Sequence, residues 1–161
     1  MFYGREDQVA RFASLWRKPV ASFVVCRGSV SALPGWDAIM GLQFENLVLN
    51  NVSSLAPMIG LVGRNVESAA PYFRSGRKTG NGVQIDYLVQ LPRCTYVVEI
   101  KRKRTLGRSI EDEVQQKIER LKLPRNRSVK TVLVYEGDLD PTVGEDGFFD
   151  YLVSADQLLH R

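Results

Sequence analysis

Asp86 and the triplet Glu99-Ile100-Lys101 are the residues of this chain whose types and spacing could do chemistry. They lie in VQIDYLVQLPRCTYVVEIK, residues 83–101, which reads as two β-strands joined by a tight turn at Pro92-Arg93. Antiparallel pairing centred on that turn sets Tyr87 against Val98, Val89 against Tyr96 and Ile85 against Ile100, making one face wholly apolar. The other face then pairs Gln84 with Lys101, Asp86 with Glu99, Leu88 with Val97 and Gln90 with Thr95. Directly opposed side chains stand about 5 Å apart, and a slip of one residue would bury the charges. Two carboxylates so placed on a half-buried surface repel unless a cation comes between them. A hard divalent ion with oxygen ligands answers that need, with Lys101 one pleat further along. The same residues also suit an exposed strand face whose charges are simply solvated, where a carboxylate–lysine pair contributes under about 1 kcal/mol.

The elements that must position these residues follow from periodicity and punctuation. Asp37 can cap a helix running to about Asn50. Successive 100° rotations put Glu45 in the middle of a face made by Ala38, Gly41, Leu42, Val48 and Leu49. A carboxylate there needs a partner; a nearby backbone group or arginine would serve as well as an ion. Residues 51–69 stay ambiguous, because Pro57 and Gly60 interrupt any long pattern. A strand begins at Tyr72 to Arg74 and returns through Thr79-Gly80-Asn81-Gly82. Ser109 caps a helix from Ile110 to about Lys122, stopped before Pro124. Gln115 lies on its flank, and a solvated glutamine fits there too. Val129 to Tyr135 reads as an interior strand, and Phe148 to Val153 as a last strand before a short helix. The N-terminal stretch adds a helix over residues 5–17 and a strand over 20–26. The fold class expected is α/β, a central mixed sheet flanked by helices.

Composition narrows the classes. A chain of 161 residues can bury a core without disulfide staples, and no apolar run approaches the roughly 18 residues of a membrane span. Arg5, Glu6 and Asp7 stand where a signal peptide would be apolar, which predicts a cytoplasmic protein with no membrane partner. Cys26 and Cys94 sit in apolar, strand-like contexts and read as buried thiols without zinc spacing. His160 is the only histidine, which excludes histidine-based catalysis. The net charge of +4 is unevenly spread. Residues 74–108 carry nine bases (among them Arg74, Arg77, Lys78, Lys101, Arg102, Lys103 and Arg104) against only Asp86 and Glu99, while 136–150 carry six acids and no base. Charge runs are commonly solvated loops; this one flanks the acidic pair on both sides, as a polyanionic backbone would require.

Four blocks in order resemble the PD-(D/E)xK, or restriction-endonuclease-like, nuclease superfamily: Gly41-Leu42-Gln43-Phe44-Glu45-Asn46, Gln84 to Leu88, Tyr96 to Lys101, and Glu113 to Leu121. More narrowly, residues 41–160 look like the C-terminal nuclease-like domain of a family of bacterial AAA-type ATPases. The resemblance implies a restriction-endonuclease-like αβββαβ core with an extra N-terminal helix and strand. It implies Mg²⁺ or Mn²⁺ held by Asp86, Glu99, the Ile100 carbonyl and Glu45. Lys101 would orient or help deprotonate a water, and Gln115 would point at the site. Arg74, Arg77, Lys78, Lys103 and Arg104 would grip phosphates of a nucleic acid, DNA favoured. Residues 1–28 resemble the opening of the same ATPases, yet no G-x-x-x-x-G-K-[ST] follows Gly28. That predicts a lost ATPase core, no nucleotide cofactor, and a nuclease-like domain over 36–161. A homodimer stays open. The alternative is an inactive nucleic-acid-binding or protein-interaction module left over from such an ATPase.

Overall fold

The computed structural model describes residues 36–76, 82–124 and 126–159. Expectations for the N-terminal helix and strand, Cys26, Arg77, Lys78, the 79–81 turn and His160 lie outside the described residues. Helix α1 (Trp36–Asn50) and helix α2 (Val52–Met58) precede strands β1 (Ser68–Arg74), β2 (Val83–Gln90) and β3 (Cys94–Leu106). Helix α3 (Ser109–Arg120), strand β4 (Ser128–Leu139), strand β5 (Tyr151–Ser154) and helix α4 (Ala155–Leu159) complete the unit. The strands form one sheet in the order β1-β2-β3-β4-β5. The first two pairings are antiparallel and the last two parallel, so the sheet is mixed.

The hairpin keeps the expected register next to its turn: Tyr87 pairs with Val98, Leu88 with Val97, Val89 with Tyr96 and Gln90 with Thr95. Beyond Tyr87 the ladder stops. The expected pairs Ile85–Ile100, Asp86–Glu99 and Gln84–Lys101 are absent from it. The cause lies on the neighbouring strand. Ala70 pairs with Leu88 but Tyr72 with Ile85, so β2 carries one extra residue opposite Pro71. Proline donates no ladder hydrogen bond, and the bulge falls where that bond is missing. Val83 and Ile85 consequently join Leu88 and Val97 in one core, although simple alternation puts Ile85 and Leu88 on opposite faces.

That core lies under α3, where Ile110, Val114 and, just past the helix end, Leu121 pack with Leu133, Val143 and Phe149. The face expected to be wet is thus covered, and Thr95, Val97 and Glu99 are all but inaccessible. On the other face Leu55 and Ile59 cover Tyr87 and Val89. Pro57 is accommodated near the end of the short α2, where only one further helical residue follows.

Other boundaries moved for local reasons. Asp37 sits in the first turn of α1, where an acid still favours the helix dipole. Ser109 is the first residue of α3, and Arg108 holds the cap position without a side-chain capping hydrogen bond. Strand β5 starts at Tyr151 because the Asp150 carboxylate accepts the Thr131 N–H at 2.9 Å, a bond that a backbone carbonyl would otherwise take. Cys94, expected buried, is half-buried as the first residue of β3.

Candidate metal centre

Where β2 and β3 part, an open cleft of about 530 Å³ forms between their ends, α1 and α3. Glu45, Asp86, Glu99, Ile100, Lys101 and Lys117 are among its lining residues. Asp86 replaces the missing ladder: its Oδ2 accepts the Ile100 backbone N–H at 2.8 Å. A buried amide left without that acceptor would be costly, so Asp86 is anchored by the backbone it serves. Glu99 follows from β3, which runs on past the split because β4 still pairs with it, Glu99 beside Leu133 and Lys101 beside Tyr135.

Glu99 is 1% exposed, a carboxylate with almost no water of its own. Burial first, then the neighbouring Asp86 carboxylate, pushes its pKa above the ordinary range, against the opposing pull of Lys117 and Lys101. Lys117 Nζ stands 2.5 Å from Glu99 Oε2, and Lys101 Nζ stands 3.6 Å from Oε1. Lys101 leans instead toward Glu113 on α3, at 2.9 Å. Two ion pairs therefore cross between β3 and α3, Glu99 to Lys117 and Lys101 to Glu113. Burial alone would lower the Lys101 pKa; the Glu113 hydrogen bond together with Glu99 and Asp86 outweighs it and the value rises.

Glu45 reaches the cleft, but not from the centre of a buried stripe. The buried side of α1 is Phe44, Leu47 and Val48. Ala38, Gly41 and Leu42 line the cleft beside Glu45, with Leu42 56% exposed. Partial burial and then Asp86 push Glu45 upward, and Lys117 opposes them.

Gln115 is not brought to the cleft; it is exposed on α3 and donates to Glu119 Oε1 at 3.0 Å. Two positions along, Lys117 lines the cleft although the sequence pattern does not single it out. Its signal was Glu113 one turn before it and its place between Val114 and Ile118, on the edge of the buried side. Arg74 Nη2 donates to the Arg120 carbonyl at 2.5 Å, tying β1 to the end of α3. Arg102 lines the cleft and pairs with Glu136 at 2.5 Å and Asp37 at 3.8 Å. Lys103 and Arg104 are exposed and border a different groove, with Asp37, Glu136 and Gly137. Here β3 spans Arg102 to Thr105 while β4 spans only Glu136 to Asp138, a second bulge. Gly137, at φ +121, lets the strands close: a Cβ there would lie 1.8 Å from the Lys103 carbonyl oxygen.

The donors near the split are hard oxygens, which suit Mg²⁺ or Mn²⁺. Glu99 offers such an ion a buried carboxylate beside Asp86, although two lysines already stand next to it. Among the described residues, however, no group of three or more Asp, Glu, His or Cys side chains is assembled to hold a metal. Glu45, Asp86 and Glu99 line the same cleft without forming such a group.

Fold and cleft define an α/β protein with a five-stranded mixed sheet flanked by helices. The chain matches no protein-family model, no curated protein and no solved structure. No described helix is long and apolar enough to cross a membrane.

Proposed function

We propose that the protein is a metal-dependent nuclease of the PD-(D/E)xK kind, hydrolysing phosphodiester bonds of nucleic acid, DNA favoured, with little sequence preference. The observation that carries this reading is Glu99: a carboxylate 1% exposed, facing an open cleft, with Asp86 across the strand split and two ammonium groups beside it. The order α1-α2-β1-β2-β3-α3-β4, a helix, three strands, a helix and a strand once the short α2 is set aside, supports it as well.

Asp86 and Glu99 would hold the ion, with the Ile100 main chain and Glu45 completing its surroundings. When bound, Mg²⁺ or Mn²⁺ supplies Lewis-acid polarisation of a phosphoryl oxygen and a lowered pKa for its water. Lys101 keeps its proton, because the acids around it raise its pKa. It therefore offers an N–H to a phosphate oxygen as negative charge develops, in place of removing a proton from water. Arg102 and Arg120 line the cleft and favour a polyanion, and the exposed Lys103 and Arg104 extend the positive surface past it. None of these residues sits on a base-reading element, so contacts go to phosphate.

Incubating plasmid DNA with the full chain and Mg²⁺ or Mn²⁺, then with EDTA, tests the reading. Nicking or linearisation that needs the divalent ion and disappears in Glu99→Ala supports it. No cleavage with either ion, at protein in excess over DNA, would leave the binding-module alternative.

A further inference from the structure

Lys117 poses a problem for any ion at this site. Its ammonium is already 2.5 Å from Glu99 Oε2, on a carboxylate with almost no exposure to water. Lys101, two residues along the same strand, lies farther off at 3.6 Å and gives its short contact to Glu113. Glu99 thus takes its nearest positive charge from the helix and not from its own strand.

We propose that Lys117 is the resident counter-ion of the metal-free cleft, and that a divalent cation binds by displacing it from Glu99. This rests on the metal-dependent reading above. Three observations support an exchange over a permanent bond. The Lys117 side chain is 25% exposed, so its ammonium has a route to water that Glu99, at 2%, lacks. Glu113 lies four residues earlier on α3, one helical turn away, and is 49% exposed, offering Lys117 an alternative partner. No third carboxylate is assembled around Glu99 among the described residues, as expected of a site held by a single-charge cation with hydrogen-bond geometry. Lys117 then acts as a positioning residue. It holds Glu99 in the buried wall while the ion is away and sets the ion's apparent affinity by competition.

The expected effect follows from populations. If the lysine-free arrangement is about a tenth of the metal-free ensemble, the apparent affinity is reduced about tenfold. Mn²⁺ binding to the full chain, read from the electron paramagnetic resonance signal of the free aqua-ion, measures this without any turnover. Lys117→Met and Lys117→Gln should each bind Mn²⁺ about tenfold more tightly than wild type, and Glu99→Ala should bind none. Lys117→Arg keeps the positive charge and should bind no more tightly than wild type. Melting in EDTA separates the proposal from a purely structural role: both neutral variants should melt lower than wild type, and saturating Mn²⁺ should raise them by more. Having two neutral variants of different polarity guards against one failing to fold. Equal or weaker Mn²⁺ binding in the neutral variants, with binding lost in Glu99→Ala, overturns the displacement and keeps the metal site. Mn²⁺ bound by none of the proteins, wild type included, overturns both.

Discussion

The two ends of the β2–β3 hairpin are built from the same kinds of residue and behave in opposite ways. Next to the turn, four opposed pairs hold a regular ladder and both faces are covered by helices. Past Tyr87 the strands part, one residue bulges out opposite Pro71, and a carboxylate does what a backbone carbonyl did a few ångströms away. The closed end draws its stability from packing that does not depend on charge. The open end holds two carboxylates and two lysines whose arrangement depends on every member. A site of this kind needs both: a rigid ladder to fix the strand directions, and an interruption that turns polar groups toward the cleft.

Substitutions at the two ends should therefore fail differently. Removing Glu99 is expected to have the largest effect, abolishing metal-dependent cleavage in a plasmid assay while the circular dichroism spectrum stays native. Lys101→Ala should slow single-turnover cleavage by about 10²–10³-fold. Lys101→Arg should recover part of this, since a guanidinium carries the charge but not the compact ammonium geometry. Wild-type turnover in Lys101→Ala would remove that lysine from the chemistry. At the closed end, Leu88→Ala should cost about 2–5 kcal/mol in urea unfolding, with residual cleavage normal at temperatures where the variant is folded. A selective loss of activity there would mean the two ends are not separable.

Asp86→Ala is the mixed case. It should lose cleavage and also about 1–3 kcal/mol, because the Ile100 N–H is left buried without an acceptor. Relief of repulsion with Glu99 works the other way, so a net gain in stability would show that repulsion outweighs the hydrogen bond.

The smallest effect expected is on pH. Glu99 and Glu45 both have pKa values raised above their ordinary 4.5, so the folded state holds their protons more tightly than the unfolded chain does. Their contribution is complete below 4.5 and is lost as pH rises through the raised values. In EDTA, the melting temperature of wild type relative to Glu99→Gln should fall as pH climbs above 4.5. Saturating Mn²⁺ should reverse the trend, because the ion competes with the proton. A difference that is flat with pH in EDTA would contradict the upward shift.

Much of this was legible in the residues, for identifiable reasons. Alternation on both sides of Pro92-Arg93 dictated the register of four pairs, since any slip would reverse the faces. The spacing of Ile110, Val114, Ile118 and Leu121 after Ser109 marks one side of a helix for burial, and all but the partly buried Ile118 join the core. The bulge was not legible in β2 itself, because Val83 to Val89 fits regular alternation. The sign is Pro71, which lies inside a strand that runs from Ser68 and not, as residue types suggest, from Tyr72. The orientation of α1 was hidden because its apolar residues go nearly all the way round, leaving periodicity without a preferred side. Glu45 still reaches the cleft, with a different set of neighbours. Lys117 was hidden by its type: a lysine on a charged helix reads as solvated until the strand opposite is known to bury a glutamate.

The crossed pairs between β3 and α3 also limit how this protein can change by descent. Losing Lys117 leaves the buried Glu99 with only the longer 3.6 Å contact to Lys101, and losing Glu113 leaves Lys101 with that same contact alone. Neutral drift at these four positions is expected to proceed in coupled steps, with Glu99 the most constrained because it is the least exposed. On the proposed reading, a lineage that gave up metal binding could keep Lys117 on Glu99 as a plain ion pair and remain folded. That contact would then let the proposed chemistry disappear without the fold recording its loss.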